Sequence, residues 1–145
     1  MIVELPNVQA MTHFGERIAA RVVPGDVIAL SGALGAGKTT LARAIIAACG
    51  HQGEVPSPSF TIIETYFACT PPLVHADFYR LDDPEEAAEL GLDDYRDGAV
   101  LIAEWPERAG GFDAEPGCLA LTLEVRGEGR RAIVEPGAAW LERSL

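Results

Sequence analysis

The run Ser31 to Thr40, SGALGAGKTT, contains Gly32, four residues, then Gly37, Lys38 and Thr39. This is the Gly-x4-Gly-Lys-[Ser/Thr] spacing of a loop that wraps phosphate. Gly32, Gly35 and Gly37 let the backbone bend so that successive N–H groups point inward, and a following helix adds partial positive charge at its N-terminus. Lys38 supplies a point charge for the β and γ phosphates, and the Thr39 hydroxyl supplies a ligand for Mg²⁺. Such a cation also needs an acid at the end of a buried strand. Two positions qualify: Glu104, after the apolar run VLIA, and Asp77, after LVHA. The more apolar strand favours Glu104 for the metal, which leaves Asp77 to orient the attacking water or complete the outer metal shell. Ser59, in the Pro-rich loop VPSPSF, is placed to sense the γ-phosphate and Mg²⁺ or to form an ordinary turn. Trp105 is either core or a lid. His13, His51 and His75 are scattered singly and receive no metal or catalytic role.

These groups need elements to position them. DVIALS (Asp26 to Ser31) reads as a buried strand and TTLARAIIAACG as a helix with Leu41, Ile45, Ile46 and Cys49 on one face, stopping at Gly50. Upstream, Val8, Met11, Phe14, Ile18 and Val22 share a helical face behind Asn7 as N-cap. TIIETYF and LVHADFY form an antiparallel pair, DPEEAAELGL starts a helix at Asp83, and AVLIAEW is the most apolar strand. LALTLEV and RAIVEP make a hairpin, and AAWLERSL a short terminal helix. The sum is an α/β fold: a single P-loop NTPase domain over residues 1–145, a three-layer sandwich around a mixed central sheet.

Composition narrows the classes. The chain has 145 residues, 48% hydrophobic and 23% charged, enough for one core. It shows no signal peptide or apolar membrane run, and its three cysteines read as reduced packing residues, so the expected location is cytoplasmic. A net charge of −11 opposes direct binding of nucleic acid, whose phosphates must be met by Lys and Arg; RGEGRR (Arg126 to Arg131) is the one late basic cluster. The acidic DDPEEAAE (Asp82 to Glu89) is a solvated face or a surface for a basic partner.

Together, LSGALGAGKTTLAR, SPSFTIIETY, HADFYRLDDPEEAAELGLDDY, LIAEWPER and GEGRRA resemble the bacterial TsaE (YjeE) family, small ATPases needed for threonylcarbamoylation of the adenosine beside the tRNA anticodon. The resemblance implies ATP and Mg²⁺ as cofactors. It implies that Leu34, Gly35, Ala36, Gly37, Lys38, Thr39 and Thr40 hold the nucleotide phosphates, with Thr39 and Glu104 on the metal. Asp77, Glu104, Ser59 and Lys38 then serve catalysis or switching. Arg130 lies near the nucleotide, and Val8 borders the adenine. Ala33 stands where the family's loop commonly has Asp, Ser59 where it has Thr, and Met11 where Thr is frequent; Ser59 keeps the hydroxyl. The implied partners are the TsaB and TsaD proteins, with tRNA reached only through the complex and no membrane involved. A small-molecule or nucleoside kinase is the other class of function, while the absence of Asn-Lys-x-Asp and Asp-x-x-Gly disfavours a GTPase.

Overall fold

The computed structural model describes residues Met1–Leu145. Seven strands form one sheet: β1 (Ile2–Leu5), β2 (Val27–Ser31), β3 (Ile63–Tyr66), β4 (Leu73–Asp77), β5 (Val100–Glu104), β6 (Cys118–Arg126) and β7 (Gly129–Pro136). Their spatial order is β1-β7-β6-β2-β5-β4-β3. The pairings β2/β5, β2/β6 and β4/β5 are parallel, whereas β3/β4, β6/β7 and β1/β7 are antiparallel. The sheet is therefore mixed, with a parallel centre, and strands buried on both faces read as unbroken apolar runs. Every residue of β4 and β5 is buried. Both acid-bearing strands are thus interior, and burial alone does not separate Asp77 from Glu104.

Helices cover both faces. On one side lie α1 (Val8–Ala19) and α2 (Lys38–Ala48), over a core of 25 buried residues that includes Phe14, Ile18, Leu41 and Ile45. On the other lie α3 (Glu85–Glu89), α4 (Leu92–Arg96) and a 3-10 turn at Pro106–Ala109, over a smaller core of 13 residues. Strand alternation feeds both: Ile28 and Leu30 of β2 enter the larger core, Val27 and Ala29 the smaller. Each fully buried aliphatic or aromatic side chain contributes about 1.5–3 kcal/mol. The thicker layer is thus the one that carries α2, the helix on which the phosphate loop ends.

Local signals account for the α1 and α2 boundaries. Asn7 caps α1, its side chain accepting the Ala10 N–H at 2.8 Å. Past α2, Gly50 takes φ 111°, as a residue ending a helix by reversing hand does. Four expectations change. Val8 belongs to the apolar stripe of α1 by spacing but, as the first residue of the helix, is 71% exposed. The helix after Asp83 breaks in two at Gly91 (φ 81°), although Asp83 does accept the Glu85 N–H at 2.9 Å. The last segment forms only a 3-10 turn at Ala138–Trp140, and Arg143 and Ser144 beyond it bond to Asp26 and Arg21. Finally β1, unforeseen, is an edge strand whose partner β7 lies at the far end of the chain. No helix is long and apolar enough to cross a membrane.

Candidate nucleotide site

The site lies at the carboxyl ends of the parallel strands, where open α/β sheets keep their ligand crevice. The chain leaves β2 at Ser31, bends through Gly32 (φ 135°), and enters α2 from Gly37 (φ 106°). A side chain at Gly32 would place its Cβ 2.4 Å from the Leu123 carbonyl oxygen, so the loop's first glycine answers a steric demand as well as a torsional one. Lys38, Thr39 and Thr40 form the first turn of α2, where N–H groups have no helical acceptor and point toward the mouth. Lys38 folds back over this loop. Its ammonium donates to the Gly32 oxygen at 2.6 Å and the Ala33 oxygen at 2.9 Å, and it lies 4.4 Å from the centre of the Trp105 ring. Burial lowers the Lys38 pKa from its ordinary value, against the opposing pull of Glu104 and Asp77.

The two acids arrive from neighbouring strands. The parallel register of β4 and β5 sets Asp77 directly opposite Glu104. The Thr39 hydroxyl donates to Glu104 Oε1 at 2.8 Å. Because that bond uses the hydroxyl's proton, the lone pairs of the threonine oxygen stay available to a cation. Asp77 accepts the Tyr79 N–H at 3.0 Å, and burial pushes its carboxyl above the usual range despite that bond. A buried carboxylate bonded to a hydroxyl, with a second buried carboxylate on the neighbouring strand, suits Mg²⁺, a hard cation that takes oxygen ligands and shares them with phosphate. Thr39 and Glu104 would hold it.

One cleft of about 260 Å³ is lined by Leu34, Gly35, Gly37, Lys38, Thr39, Thr40, Ser59, Asp77, Glu104, Trp105 and Arg130. Of the residues assigned to the nucleotide, metal or catalysis, Ala36 and Val8 are missing from it, as is the first loop glycine, Gly32. Ala36 is buried behind the loop, and Val8 lines an adjoining cleft of about 130 Å³ with Leu5, Asn7, Met11 and Glu128. Gly37, Thr40 and Arg130 border both clefts, so phosphate and base can be held side by side. Arg130 reaches in from the β6/β7 hairpin and donates to the Gly35 oxygen at 3.1 Å. Ser59 is bonded to Ser57, Oγ to Oγ, at 2.7 Å. Trp105 leaves β5 with φ 55°, and its ring packs 4.9 Å from that of Tyr79, roofing Lys38.

Sequence reasoning passed over His75. It is fully buried in β4, with Nε2 2.6 Å from Glu104 Oε2. A signal was present in the period of the strand: His75 lies two residues before Asp77 and so shares the face that carries the acid.

A glycine loop running from a parallel strand into a helix, with a hydroxyl bonded to the acid of the next strand, defines the class: an α/β protein of P-loop NTPase fold. Residues 5–133 match the family model described as "Threonylcarbamoyl adenosine biosynthesis protein TsaE". The chain belongs to that family. It is 37% identical to the tRNA threonylcarbamoyladenosine biosynthesis protein TsaE of Haemophilus influenzae, over 74% of this chain and 72% of that protein. The protein of the same name from Rickettsia felis is 34% identical over 88% of this chain and 74% of its own length. The crystal structure of YdiB from Bacillus subtilis superposes with a TM-score of 0.76 at 29% identity, covering 92% of this chain and 83% of the other.

Proposed function

We propose that this chain is a Mg²⁺-dependent ATPase acting in the biosynthesis of threonylcarbamoyladenosine in tRNA. Membership in the TsaE family supports the pathway and disfavours the kinase reading. The observation that carries the ATPase reading is the Thr39 to Glu104 bond of 2.8 Å, which ties the phosphate loop to a buried strand-end acid. Phosphoryl transfer to water asks mainly for positioning and for cancellation of charge on the γ-phosphate. Mg²⁺, when bound through Thr39 and Glu104, supplies part of that cancellation. Lys38 leaves its carbonyl partners for the phosphates and supplies more, and Arg130 closes over Gly35 from the hairpin. Asp77, its carboxyl raised above the ordinary carboxylate range by burial, orients the attacking water or completes the outer shell of the metal. Ser59, on the loop before β3, follows the presence of the γ-phosphate.

The chain acts weakly alone and through partners, the TsaB and TsaD proteins, in the cytoplasm, and meets tRNA only within that complex. Its charge of −11 supports this division of labour. Two exposed features offer docking surface: Phe60, next to the cleft residue Ser59 and 81% exposed, and the acidic turn of Asp82, Asp83 and Glu85 at the start of α3. The test is ATP turnover and tRNA modification in a mixture reconstituted with TsaB and TsaD, at low and high salt, using wild type and a Glu85→Gln/Glu86→Gln double variant. Stimulation by partners that weakens with salt and with the double change is expected, because exposed charges steer encounter and are screened. No stimulation at any salt concentration overturns the assembly reading; stimulation indifferent to the double change moves the docking face off α3.

A further inference from the structure

His75 is buried completely, yet only one of its two ring nitrogens has a partner. Nε2 lies 2.6 Å from Glu104 Oε2, while Nδ1 is enclosed with no hydrogen-bond partner at all. An enclosed polar atom without a partner costs stability. The neighbours of His75 along β4, Leu73, Val74 and Ala76, are all aliphatic and fully buried, so an apolar residue would suit the strand and remove the orphaned nitrogen, and what it would strand is Glu104 Oε2. Packing therefore gives no reason for an imidazole here. The bond to Glu104 does.

That bond completes a chain across three elements. Glu104 Oε1 accepts from Thr39 on α2, and Glu104 Oε2 faces His75 on β4, so each carboxylate oxygen is held from a different side and the plane of the carboxylate is fixed. The register makes this possible: His75 pairs with Ile102 and Asp77 with Glu104, placing His75 and Asp77 on the same face of the sheet as Glu104. His75 does not line the nucleotide cleft and touches no ligand position there, so whatever it does for the site it does through Glu104.

We propose that His75 is a positioning residue, which locks the Glu104 carboxylate in the orientation that lets Thr39 and Glu104 take a divalent cation together. The proposal rests on the Mg²⁺-nucleotide reading of the site and adds to it a residue outside the cleft. Groups that orient a metal ligand by hydrogen bonding change metal affinity by about 10- to 100-fold when removed. Loss of His75 acts in the same way, on the cation and not on the nucleotide itself.

The experiment uses the full chain and a non-hydrolysable ATP analogue, with binding followed by calorimetry over a Mg²⁺ titration and in EDTA, and melting temperature recorded beside it. For His75→Leu, the Mg²⁺ midpoint is expected to rise by about 10- to 100-fold. Its binding in EDTA stays at the wild-type value, and its melting temperature, in which removal of the orphaned nitrogen is set against a stranded Glu104 Oε2, serves as the check that the variant folds. His75→Gln, whose amide still donates toward Glu104, returns the midpoint toward wild type. His75→Asn stays polar but stops short of Glu104, so it shares the raised midpoint and keeps the test decisive should the leucine variant not fold. A wild type that responds to Mg²⁺ while His75→Leu or His75→Asn shows the same midpoint overturns the positioning role alone. A wild type whose binding ignores Mg²⁺ overturns the cation reading of the cleft and this role with it.

Discussion

The central strands bury acid at both ends, and the two ends treat it differently. At the amino end of β2, Asp26 is 3% exposed and accepts twice, from the Val23 N–H at 2.8 Å and from the Arg143 guanidinium at 2.5 Å. At the carboxyl ends of β4 and β5, Asp77 and Glu104 are 8% and 2% exposed, and neither has an arginine partner. Asp77 makes do with one backbone N–H, and Glu104 with a hydroxyl and an imidazole. The nearby cation, Lys38, spends its hydrogen bonds on the carbonyls of Gly32 and Ala33. A buried charge matched by a guanidinium closes a structure, whereas buried carboxylates left short of positive charge fit the proposed binding of a cation with the nucleotide.

The sharpest break of this contrast is Lys38→Ala. It removes the ammonium proposed to meet the phosphates, and truncating one partner of a buried charged contact costs at least about 2 kcal/mol, or roughly 30-fold in affinity. Calorimetry with Mg-ATP is expected to show at least that loss; affinity within a few-fold of wild type refutes the role of Lys38. At the opposite end, Arg143→Met strands the Asp26 carboxylate. The arginine is 21% exposed, so the cost falls below that of a wholly buried pair, at about 1–3 kcal/mol. Thermal denaturation should show it while nucleotide affinity is unchanged. A variant that melts normally but binds poorly would mean the two ends are coupled.

The smallest effect sharpens the comparison through pH. The Asp77 carboxyl is raised in the folded chain above its ordinary 3.8, so the folded state holds its proton to higher pH than the unfolded one. Between those two values the native state binds more protons, and stability falls as pH rises through the window. Asp77→Asn keeps an acceptor for the Tyr79 N–H and removes the charge. At neutral pH it is expected to melt above wild type, because the cost of burying the charge is gone. The gap should close as pH falls through the raised value toward 3.8. A gap of constant size would show that charge burial is not its source. Asp26→Asn, which leaves Arg143 unpaired, should destabilise at neutral pH, opposite in sign.

What could be read in advance follows the distance over which each signal acts. Asn7, Gly50 and the glycines of the phosphate loop each declare themselves to residues a few positions away, and the structure places them as caps and bends. Val8 keeps the spacing of the apolar stripe yet is exposed, because helical spacing fixes a face but not how much of that face is covered. The helix after Asp83 was drawn too long since Gly91 lies amid residues that favour helix on both sides, and the terminal helix was lost to Arg143 and Ser144, whose partners Asp26 and Arg21 are far upstream. The four-residue β1 carries too little pattern to be recognised without β7 beside it.

The sequence by itself determined the phosphate loop, the strand and helix that flank it, and the identity of two strand-end acids, because those features are written in consecutive residues and obey local torsional and hydrophobic rules. Only the tertiary structure decided that Asp77 faces Glu104, that His75 reaches the same carboxylate, and that Arg130 meets Gly35 across 95 residues of chain. Strand order and register make those pairings, and alternation along a strand fixes which face a side chain takes without fixing which strand lies beside it.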